Sequence, residues 1–424
     1  MCISQRGSRC ASLTLIDMPP RSPVSRSDVQ ATIRKLLANC QTNDWAGHDP
    51  YDALNSPVFK ALPLLNHRIP RIVLTQALKR SPIDFRGFLR IPKTRNPKGI
   101  ALLLLALLNL SRLGEPFQEG LIELMIELLT DLRSPGVPYW CWGYSFPWQT
   151  RTIIVPSCSP NLVCTVFVAS ALLDAYEQRN ESRCLNMAVS AAEYLLEELY
   201  WTDSSGLAGF SYPLPSSRGQ VHNSNFLAAA FLCRVYKCTG EERFRRPALT
   251  VATYSVSKQQ LDGSWSYGEA PWQRWIDNFH TGYNLCALAS ISRSMKTVDF
   301  QSCIRRGFDF YRNTFFGDDG RVRYFHNRNY PVDIHCIAQS IITLLEFKQL
   351  DPGNVRLAQS VLHSALTRMW DDRGFFYYRV LPFCTIRTSY MRWSQAWMLV
   401  AISMLLSESS VEIPHVTYSG APAE

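Results

Sequence analysis

The stretch Trp370-Asp-Asp-Arg-Gly-Phe-Phe-Tyr377 stands shortly before an apolar run from Trp393 to Leu406, and this pairing decides the fold because it recurs. Equivalent turns of Asp, Gly and aromatic residues begin at Tyr139, Trp201, Leu261 and Gly317. Their spacing of about 55 to 60 residues exceeds the roughly 34 to 47 residues of a two-helix solenoid unit and suits a helical hairpin with a long connection.

Six apolar runs follow these turns or the Asn96-Pro-Lys-Gly99 motif, and amphipathic stretches such as Cys184–Leu199 alternate with them. The runs are Ile100–Leu110, Asn161–Tyr176, His222–Tyr236, His280–Ile291, His335–Phe347 and Trp393–Leu406. Because apolar residues at helical spacing indicate helices, the pattern predicts an all-α (α/α)6 toroid with an apolar inner ring. Short β-hairpin-like turns are expected only at its mouth.

The composition is that of one large domain with flexible ends. The apolar fraction of 46% is ample for a core. No linker rich in Pro, Gly or Ser interrupts the chain between residues 96 and 407, and a toroid needs all its hairpins to close. We therefore predict a disordered lead over residues 1–28, a helical lead-in with a basic segment over 29–95, the toroid over 96–407 and a flexible tail over 408–424.

The thirteen cysteines and the hydropathy pattern predict a cytoplasmic protein with free thiols. The cysteine count is odd and no C-x-x-C pair occurs, so a disulfide framework is not expected. The longest apolar run is too short to cross a bilayer, and the N-terminus lacks the features of a signal peptide.

The net charge of +9 is concentrated in arginines of the turn regions. A guanidinium suits carboxylates and phosphates, so a group of them at one end of a toroid predicts an anionic substrate. Nucleic acid is not expected as a partner, because the basic residues do not fall on one helix or on a recognisable binding motif.

The candidate catalytic residues lie where the apolar helices begin. His222, His280 and His335 occupy matching positions on three consecutive inner helices. Asp277, His280 and Tyr283 are spaced three apart, which places an orienting carboxylate, a base and a phenolic acid near one helix face. The alternative interpretation of Asp277 is a helix N-cap. Two further residues complete the catalytic candidates, Asp333 and Tyr390.

Aromatic residues in the connections are candidates for stacking on sugar rings, with arginine and asparagine side chains binding the hydroxyl or carboxylate groups. About half of the tryptophans are expected instead to plug the mouth or pack the turns. The substrate-binding candidates are Trp140, Trp142, Trp148, Arg151, Asn223, Asn225, Trp272, Arg274, Trp275, Arg392 and Trp393.

The turn and helix-opening pattern over residues 96–407 resembles the α/α-toroid carbohydrate enzymes, which include glycoside hydrolases, polysaccharide lyases and glucuronyl C5-epimerases. The leader Asp44–Ser56, with Lys79-Arg-Ser-Pro-Ile-Asp84, also resembles uncharacterised bacterial proteins of surface-polysaccharide gene clusters, some of which are labelled delta-aminolevulinic acid dehydratase. That dehydratase is a β/α barrel with Schiff-base lysines. The sequence shows neither alternating strands nor a lysine in a suitable apolar setting, so it does not support the label.

The resemblance implies polysaccharide biosynthesis or modification, and the histidines, tyrosines and arginines favour proton abstraction from a uronate-containing oligosaccharide by an epimerase or lyase. No cofactor or metal is required by this chemistry, and peripheral association with a membrane-bound glycan assembly is an accompanying expectation.

Three alternatives remain open at this stage. A glycoside hydrolase would use Asp277 and Asp333 as its two carboxylates. A non-catalytic glycan-binding or scaffold toroid would keep the tryptophans. A zinc or terpenoid-cyclase-like toroid is suggested by Gln259-Gln-Leu-Asp-Gly-Ser-Trp265, with zinc bound by His280, Asp333, His335 and either Cys286 or Cys336.

Overall fold

Fourteen α-helices dominate the computed structural model, which describes residues 24–317 and 319–408. Three of them, α1 to α3, precede the first apolar run: Arg26–Thr42, Pro57–Lys60 and Arg68–Arg80. The even-numbered inner helices are α4 (Pro97–Arg112), α6 (Leu162–Arg179), α8 (His222–Thr239), α10 (Asn278–Met295), α12 (Ile334–Glu346) and α14 (Trp397–Glu408). The odd-numbered outer helices are α5 (Leu121–Asp131), α7 (Ser182–Tyr194), α9 (Glu242–Ser257), α11 (Gln301–Thr314) and α13 (Gly353–Met369).

The inner helices form a closed ring. Each of α4, α6, α8, α10 and α12 contacts the next inner helix, and α14 returns to contact α4. Each inner helix from α4 to α12 also contacts the outer helix that follows it. The predicted (α/α)6 toroid is therefore confirmed, and one continuous hydrophobic core fills the space between the rings.

The sixth outer helix comes from the start of the chain. Helix α1 begins after Ser25, whose side chain accepts a hydrogen bond from the backbone N–H of Asp28, and it packs against α14 with Leu36 and Cys40 fully buried. Within the described residues the toroid therefore begins before the predicted boundary at residue 96, because α1 is the outer partner of α14. Residues 1–23 of the lead predicted over 1–28 and residues 409–424 of the tail predicted over 408–424 lie outside the described residues. The prediction of disorder was wrong for residues 26–28, which belong to α1 because Ser25 caps this helix.

Side-chain caps explain why apolar helices open with polar residues. Asn96, Asn161, Asp277 and Asp333 are the N-caps of α4, α6, α10 and α12, and each accepts a backbone N–H of the first turn. Such caps satisfy donors that the helix itself leaves unpaired. The polar openings thus have a structural function as well as any chemical one.

The repeated Asp/Gly motif forms one kind of turn, between each of four outer helices and the next inner helix. In the last of these, Asp371 accepts the backbone N–H of Arg373 at 3.0 Å, and Gly374 follows with φ of 89°. A left-handed φ favours glycine because a Cβ atom would clash with the backbone. The other three turns pair Asp203 with Gly206, Asp262 with Gly263 and Asp319 with Gly320.

Short antiparallel strands occupy the connections at the mouth, as expected. Hairpins pair β1 (Trp148–Gln149) with β2 (Ile154–Val155), β3 (Tyr200–Thr202) with β4 (Ala208–Phe210), and β6 (Trp370–Asp371) with β7 (Phe375–Phe376). A three-stranded sheet has the order β5 (Val332–Asp333), β8 (Arg379–Val380) and β9 (Thr385–Ile386).

Gly282 allows α10 and α12 to approach each other closely. A Cβ atom at this position would stand 2.7 Å from Thr343 Oγ1 and 2.8 Å from Gln339 Cγ. This contact brings the first turns of the two helices side by side at the mouth, where His280 and His335 lie. Within the described residues the cysteines are free thiols, and no helix is long and apolar enough to span a membrane.

Candidate active site

A cavity of about 320 Å³ lies at the mouth of the ring, where the inner helices begin. Its walls come from the first turns of α4, α6, α8, α10 and α12, from the segment before α14 and from the mouth connections. The lining residues are Tyr51, Lys98, Tyr144, Phe146, Trp148, Val163, Tyr212, Asn223, Tyr267, Trp275, Phe279, His280, Tyr283, His335, Arg392 and Trp393. No Asp or Glu is among them.

His280 is held by the N-cap of its own helix. Asp277 Oδ1 accepts the backbone N–H of His280 at 2.9 Å, and its Oδ2 lies 2.8 Å from His280 Nδ1. Trp275 Nε1 donates to the same Oδ2 at 3.0 Å. The carboxylate therefore fixes a proton on Nδ1 and leaves the Nε2 lone pair of this half-buried ring without a partner in the described residues. Both interpretations of Asp277, N-cap and orienting group, agree with the structure.

Tyr283 and His335 form a second hydrogen-bonded pair, with Tyr283 Oη 2.6 Å from His335 Nε2. Burial lowers the pKa of His335 well below its usual 6.5, and the nearby charge of Arg392 acts in the same direction, so the ring is neutral. Burial raises the pKa of Tyr283 well above 10.0, so the phenol keeps its proton.

The tautomer of His335 follows from its surroundings. Its Nδ1 is buried without a hydrogen-bond partner in the described residues. An orphaned N–H donor is rarer in proteins than an under-satisfied acceptor, so we assign the proton to Nε2. In this state His335 Nε2–H donates to Tyr283 Oη, and the Tyr283 hydroxyl hydrogen is free to face the cavity.

Lys98 lines the cavity, and sequence reasoning missed it. It lies in the first turn of α4 and is only 3% exposed. Its Nζ stands 3.7 Å from the ring centroid of Phe167 and 5.3 Å from that of Trp397. The statement that no lysine has a suitable apolar setting was therefore wrong. The signal was the cap motif Asn96-Pro-Lys-Gly99, which places Lys98 at the start of an inner helix.

The only arginine in the cavity wall is already paired. Arg392 donates to both carboxylate oxygens of Asp49, at 2.6 and 2.8 Å, and both side chains are buried. Burial of the pair is tolerated because each charge has its partner and good geometry. Arg392 therefore offers a substrate much less positive charge than the sequence suggested.

Aromatic rings line most of the remaining wall. Trp275 stacks on Tyr267 with ring centroids 4.6 Å apart, and Trp393 packs against Tyr51. Trp148 contacts Tyr144 and Tyr212, which also line the cavity. Of the predicted binding residues, Trp148, Asn223, Trp275, Arg392 and Trp393 thus line the cavity.

Two of the predicted catalytic residues, His222 and Tyr390, face away from the cavity. The ring of His222 faces α9, with Nδ1 3.3 Å from Ser255 Oγ and Nε2 3.9 Å from Glu269, so three histidines do not share one cavity. His222 starts its helix as predicted, but it is the first residue of α8 whereas His280 is the third residue of α10, so the two rings leave their helices in different directions. Tyr390 is buried beneath Arg86, 4.8 Å from its guanidinium carbon.

Asp333 is saturated by other partners. Its Oδ2 accepts from Arg379 Nε at 2.9 Å, and its Oδ1 accepts from Trp393 Nε1 and from the backbone N–H of His335. It orients His335 and Trp393 but does not line the cavity. Because Asp277 is also engaged, a hydrolase based on this carboxylate pair is disfavoured. Across residues 24–317 and 319–408 no three His, Cys, Asp or Glu side chains converge as metal ligands, so the zinc alternative gains no support.

The other predicted binding residues are structural or peripheral. Trp142 is buried in the core with Nε1 donating to Leu129, and Trp140 packs on it under Arg133. Asn225 is buried and bonds Gln220 and Ser255. Three residues lie on the exposed surface outside the cavity wall, Arg151, Trp272 and Arg274. The sequence repeat predicted that aromatic and basic residues lie in the mouth connections, but it did not predict which of their side chains face the cavity.

Comparison with known proteins establishes the fold class. No protein-family model and no curated protein sequence matches the chain. An unsaturated glucuronyl hydrolase from Streptococcus agalactiae is similar in structure, with a TM-score of 0.59 and 11% identity over 91% of this chain and 93% of that chain.

A cellobiose 2-epimerase from Bacillus thermoamylovorans aligns with a TM-score of 0.57 and 12% identity, over 75% of this chain and 90% of that chain. An α-mannanase from Bacteroides thetaiotaomicron aligns with a TM-score of 0.54 and 12% identity, over 74% and 86% of the two chains. The predicted class, the toroids of carbohydrate-active enzymes, is thus confirmed at the level of fold. At such identities a shared fold does not transfer a reaction.

Proposed function

We propose that this protein is a carbohydrate-active enzyme of the epimerase type, which moves a proton at a sugar carbon next to a carbonyl or carboxylate group. The observation that carries the proposal is the His280–Asp277 pair, which presents an unbonded imidazole nitrogen to a cavity whose wall contains no carboxylate side chain. The epimerase among the similar structures supports the same reaction class.

His280 acts as the general base in this proposal. Its Nε2 removes the proton, and the imidazolium that forms is stabilised by Asp277, which already accepts from Nδ1. A base oriented in this way contributes typically about 10² to 10⁴-fold to a proton-transfer rate. The epimer forms when the planar intermediate turns its other face to the imidazolium of His280, which then returns the proton.

Tyr283 supplies the second group. The negative charge that develops on the substrate oxygen needs a donor that stays protonated, and the raised pKa of Tyr283 meets that need. His335 Nε2–H donates a hydrogen bond to the phenol oxygen of Tyr283, which leaves the phenol hydrogen free to bond the substrate oxygen. Tyr283 lies one turn after His280 on α10, so both groups reach the same substrate face.

The predicted preference for a uronate receives less support than the predicted proton abstraction. Arg392 is paired with Asp49, and Arg151 and Arg274 lie outside the wall, so the expected group of free guanidinium ions is not present at the cavity. The uronate therefore stays a prediction, to be compared directly with a neutral sugar.

Deuterium wash-in tests the proposed function. The protein is incubated in D₂O with cellobiose or with a glucuronate disaccharide, and incorporation at carbon is followed by NMR and mass spectrometry. We expect incorporation with one of these sugars and a loss of at least about 100-fold in His280→Asn. His222→Asn is the matched control, because that histidine faces away from the cavity and its variant should exchange normally.

Binding of the sugars without any reaction would contradict the proposal. If the sugars bind, if Trp275→Ala weakens that binding, and if no exchange or cleavage occurs, the protein is a glycan-binding toroid. Exchange confined to the glucuronate sugar would establish the uronate preference.

A further inference from the structure

Lys98 is buried, lines the cavity and has no counterion among the described residues. Its Nζ lies above the ring of Phe167 and 5.5 Å from the ring centroid of Tyr283, and it makes no hydrogen bond or ion pair in the described residues. A buried lysine normally has an acidic partner. The carboxylate of Asp49 is not available, because Arg392 occupies both of its oxygens.

The surroundings of Lys98 mainly destabilise the protonated form of its amine. Burial and then Arg392 lower its pKa well below 10.5, and Cys164 and Asp49 oppose them only weakly. Neutral His335 and protonated Tyr283 add no negative charge.

Attraction to aromatic rings stabilises a desolvated ammonium ion by about 2 kcal/mol or more, which opposes the effect of burial. Full burial shifts the pKa of a lysine by up to about 3 to 5 units and is the largest cause here, so the fraction of neutral amine at Lys98 is far higher than at an exposed lysine.

We propose that Lys98 captures the carbonyl carbon of an open-chain aldose as an imine and thereby activates the neighbouring C–H bond. This inference rests on the proposed function, since the activated C–H is the one from which His280 removes the proton. Lys98 and His280 line the same cavity, from helices α4 and α10. The substrate class that follows is a reducing sugar.

The chemistry balances without any oxidant or reductant. The Nζ lone pair attacks the aldehyde carbon to form a carbinolamine, and loss of one water molecule gives the imine. A protonated imine withdraws electrons from the adjacent carbon and favours its deprotonation by His280 Nε2. After the proton returns, one water molecule hydrolyses the imine and releases the sugar and the free amine.

Reductive trapping tests the adduct directly. The protein is incubated with cellobiose and cyanoborohydride at pH 7, and intact mass and peptide mapping locate the product. We expect a mass increase equal to the sugar less one oxygen atom, located on Lys98. Lys98→Met removes the amine but keeps an unbranched apolar side chain, and it should give no trapped product. Lys93→Arg is the control for exposed lysines and should label as the wild type does.

A second measurement needs no variant and therefore does not depend on the folding of Lys98→Met. Formaldehyde with cyanoborohydride methylates neutral amines, and the probe is small enough to enter the cavity. For an ordinary lysine in solution methylation falls about tenfold per pH unit between pH 9 and pH 6, and exposed Lys93 is the comparison within the protein. Methylation of Lys98 should fall much less. If Lys98 follows Lys93 over this range, its amine is protonated and the proposal is overturned.

Failure of this inference and failure of the proposed function have different signatures. Deuterium exchange that persists in Lys98→Met without a trapped adduct in the wild type overturns the role of Lys98 and leaves the histidine chemistry intact. A trapped adduct at Lys98 without any deuterium exchange supports carbonyl capture and overturns the proton transfer.

Discussion

At the residue scale, the cavity is built from side chains that both cap helices and position reactive groups. Asp277 caps α10 while it holds His280, and Asp333 caps α12 while it binds Arg379 and the indole of Trp393. Each carboxylate both caps a helix and binds other side chains. A substitution can therefore be chosen that keeps the cap and removes the negative charge.

Asp277→Asn is such a substitution. Asparagine is as good an N-cap as aspartate, so we expect the free energy of unfolding to change by less than about 1 kcal/mol. An amide stabilises a cationic imidazole poorly, so the exchange rate should fall by about 10² to 10⁴-fold. Urea unfolding and deuterium wash-in measure the two effects. Asp262→Asn, the same change in an outer turn, should leave both unchanged; equal losses in both variants would refute the assigned role of Asp277.

His222 makes stability depend on pH without taking part in the site. Burial lowers its pKa to about 4. The unfolded chain binds a proton on this histidine below about pH 6.5, whereas the folded protein does so only near pH 4, so stability falls as the pH drops between these values. The loss approaches about 3 kcal/mol at pH 4 for this group.

The check is urea unfolding of wild type and His222→Gln at pH 7 and pH 4.5. The variant should lose less stability over this interval than the wild type does. His67→Gln changes an exposed histidine and serves as the control. If the free energy of unfolding changes with pH equally in His222→Gln and in the wild type, His222 does not contribute to the pH dependence of stability.

At the element scale, the site depends on how closely α10 and α12 approach. His280 and Tyr283 stand on α10, and His335 stands on α12. The hydrogen bond of 2.6 Å between Tyr283 and His335 crosses this interface. The close approach of the helices depends on Gly282, one residue before Tyr283, because a Cβ atom there would clash with Thr343 and Gln339 on α12.

Gly282→Ala should separate the two helices. The added Cβ would meet Thr343 and Gln339 at less than 3 Å, and such overpacking costs about 1 to 3 kcal/mol. We expect a lower midpoint in urea and a loss of exchange activity larger than the loss of folded protein. Gly219→Ala is the control, since nothing lies within 4 Å of its added Cβ. Unchanged activity in Gly282→Ala would mean that the Tyr283–His335 contact tolerates displacement.

At the scale of the whole molecule, the ring closes through the segment before the first repeat. Helix α1 supplies the outer partner of α14, and it also contacts the π-helical segment Met391–Ala396, which carries Arg392 and Trp393. Stability and the geometry of the cavity therefore depend on contacts between the two ends of the described chain.

Leu36→Ala tests this closure. Leu36 is fully buried between α1 and the core, and the loss of such a side chain costs about 2 to 5 kcal/mol. We expect the unfolding midpoint of Leu36→Ala to fall by the same amount when measured by circular dichroism and by tryptophan fluorescence. A single shifted transition would show that α1 unfolds cooperatively with the toroid. An early, separate transition would show that the toroid is stable without it.

Peripheral membrane association stays a prediction, and residues 57–90 are the segment on which to test it. Ile69 and Val73 are 67% and 59% exposed on one face of α3, Phe88 is 80% exposed, and Arg68 and Arg80 are exposed at the ends of the same helix. Apolar and basic groups together favour an anionic lipid surface.

We expect cosedimentation with phosphatidylglycerol vesicles that weakens at high salt and is lost in a Val73→Glu, Phe88→Glu double variant. Val298→Glu, an exposed apolar site in a distant loop, should bind as the wild type does. Equal binding to neutral phosphatidylcholine vesicles would contradict an electrostatic contribution.

The sequence by itself determined the architecture of this protein. The periodic turns and apolar runs specify six inner helices, because each Asp–Gly turn and each polar cap is a local feature that a few neighbouring residues encode. The same local logic identified the Asp277, His280 and Tyr283 spacing, which the folded helix keeps.

Only the tertiary structure decided which side chains face the cavity and which are already paired. His222 and His280 both lie in first turns of inner helices, yet a difference of two positions relative to the helix start sends one ring outward and the other inward. Arg392 meets Asp49 across 343 residues of sequence, and Lys98 meets Phe167 and Trp397 across the ring. These contacts join residues that are far apart in the chain, so packing of the closed ring, and no local pattern, fixes the charge of the site.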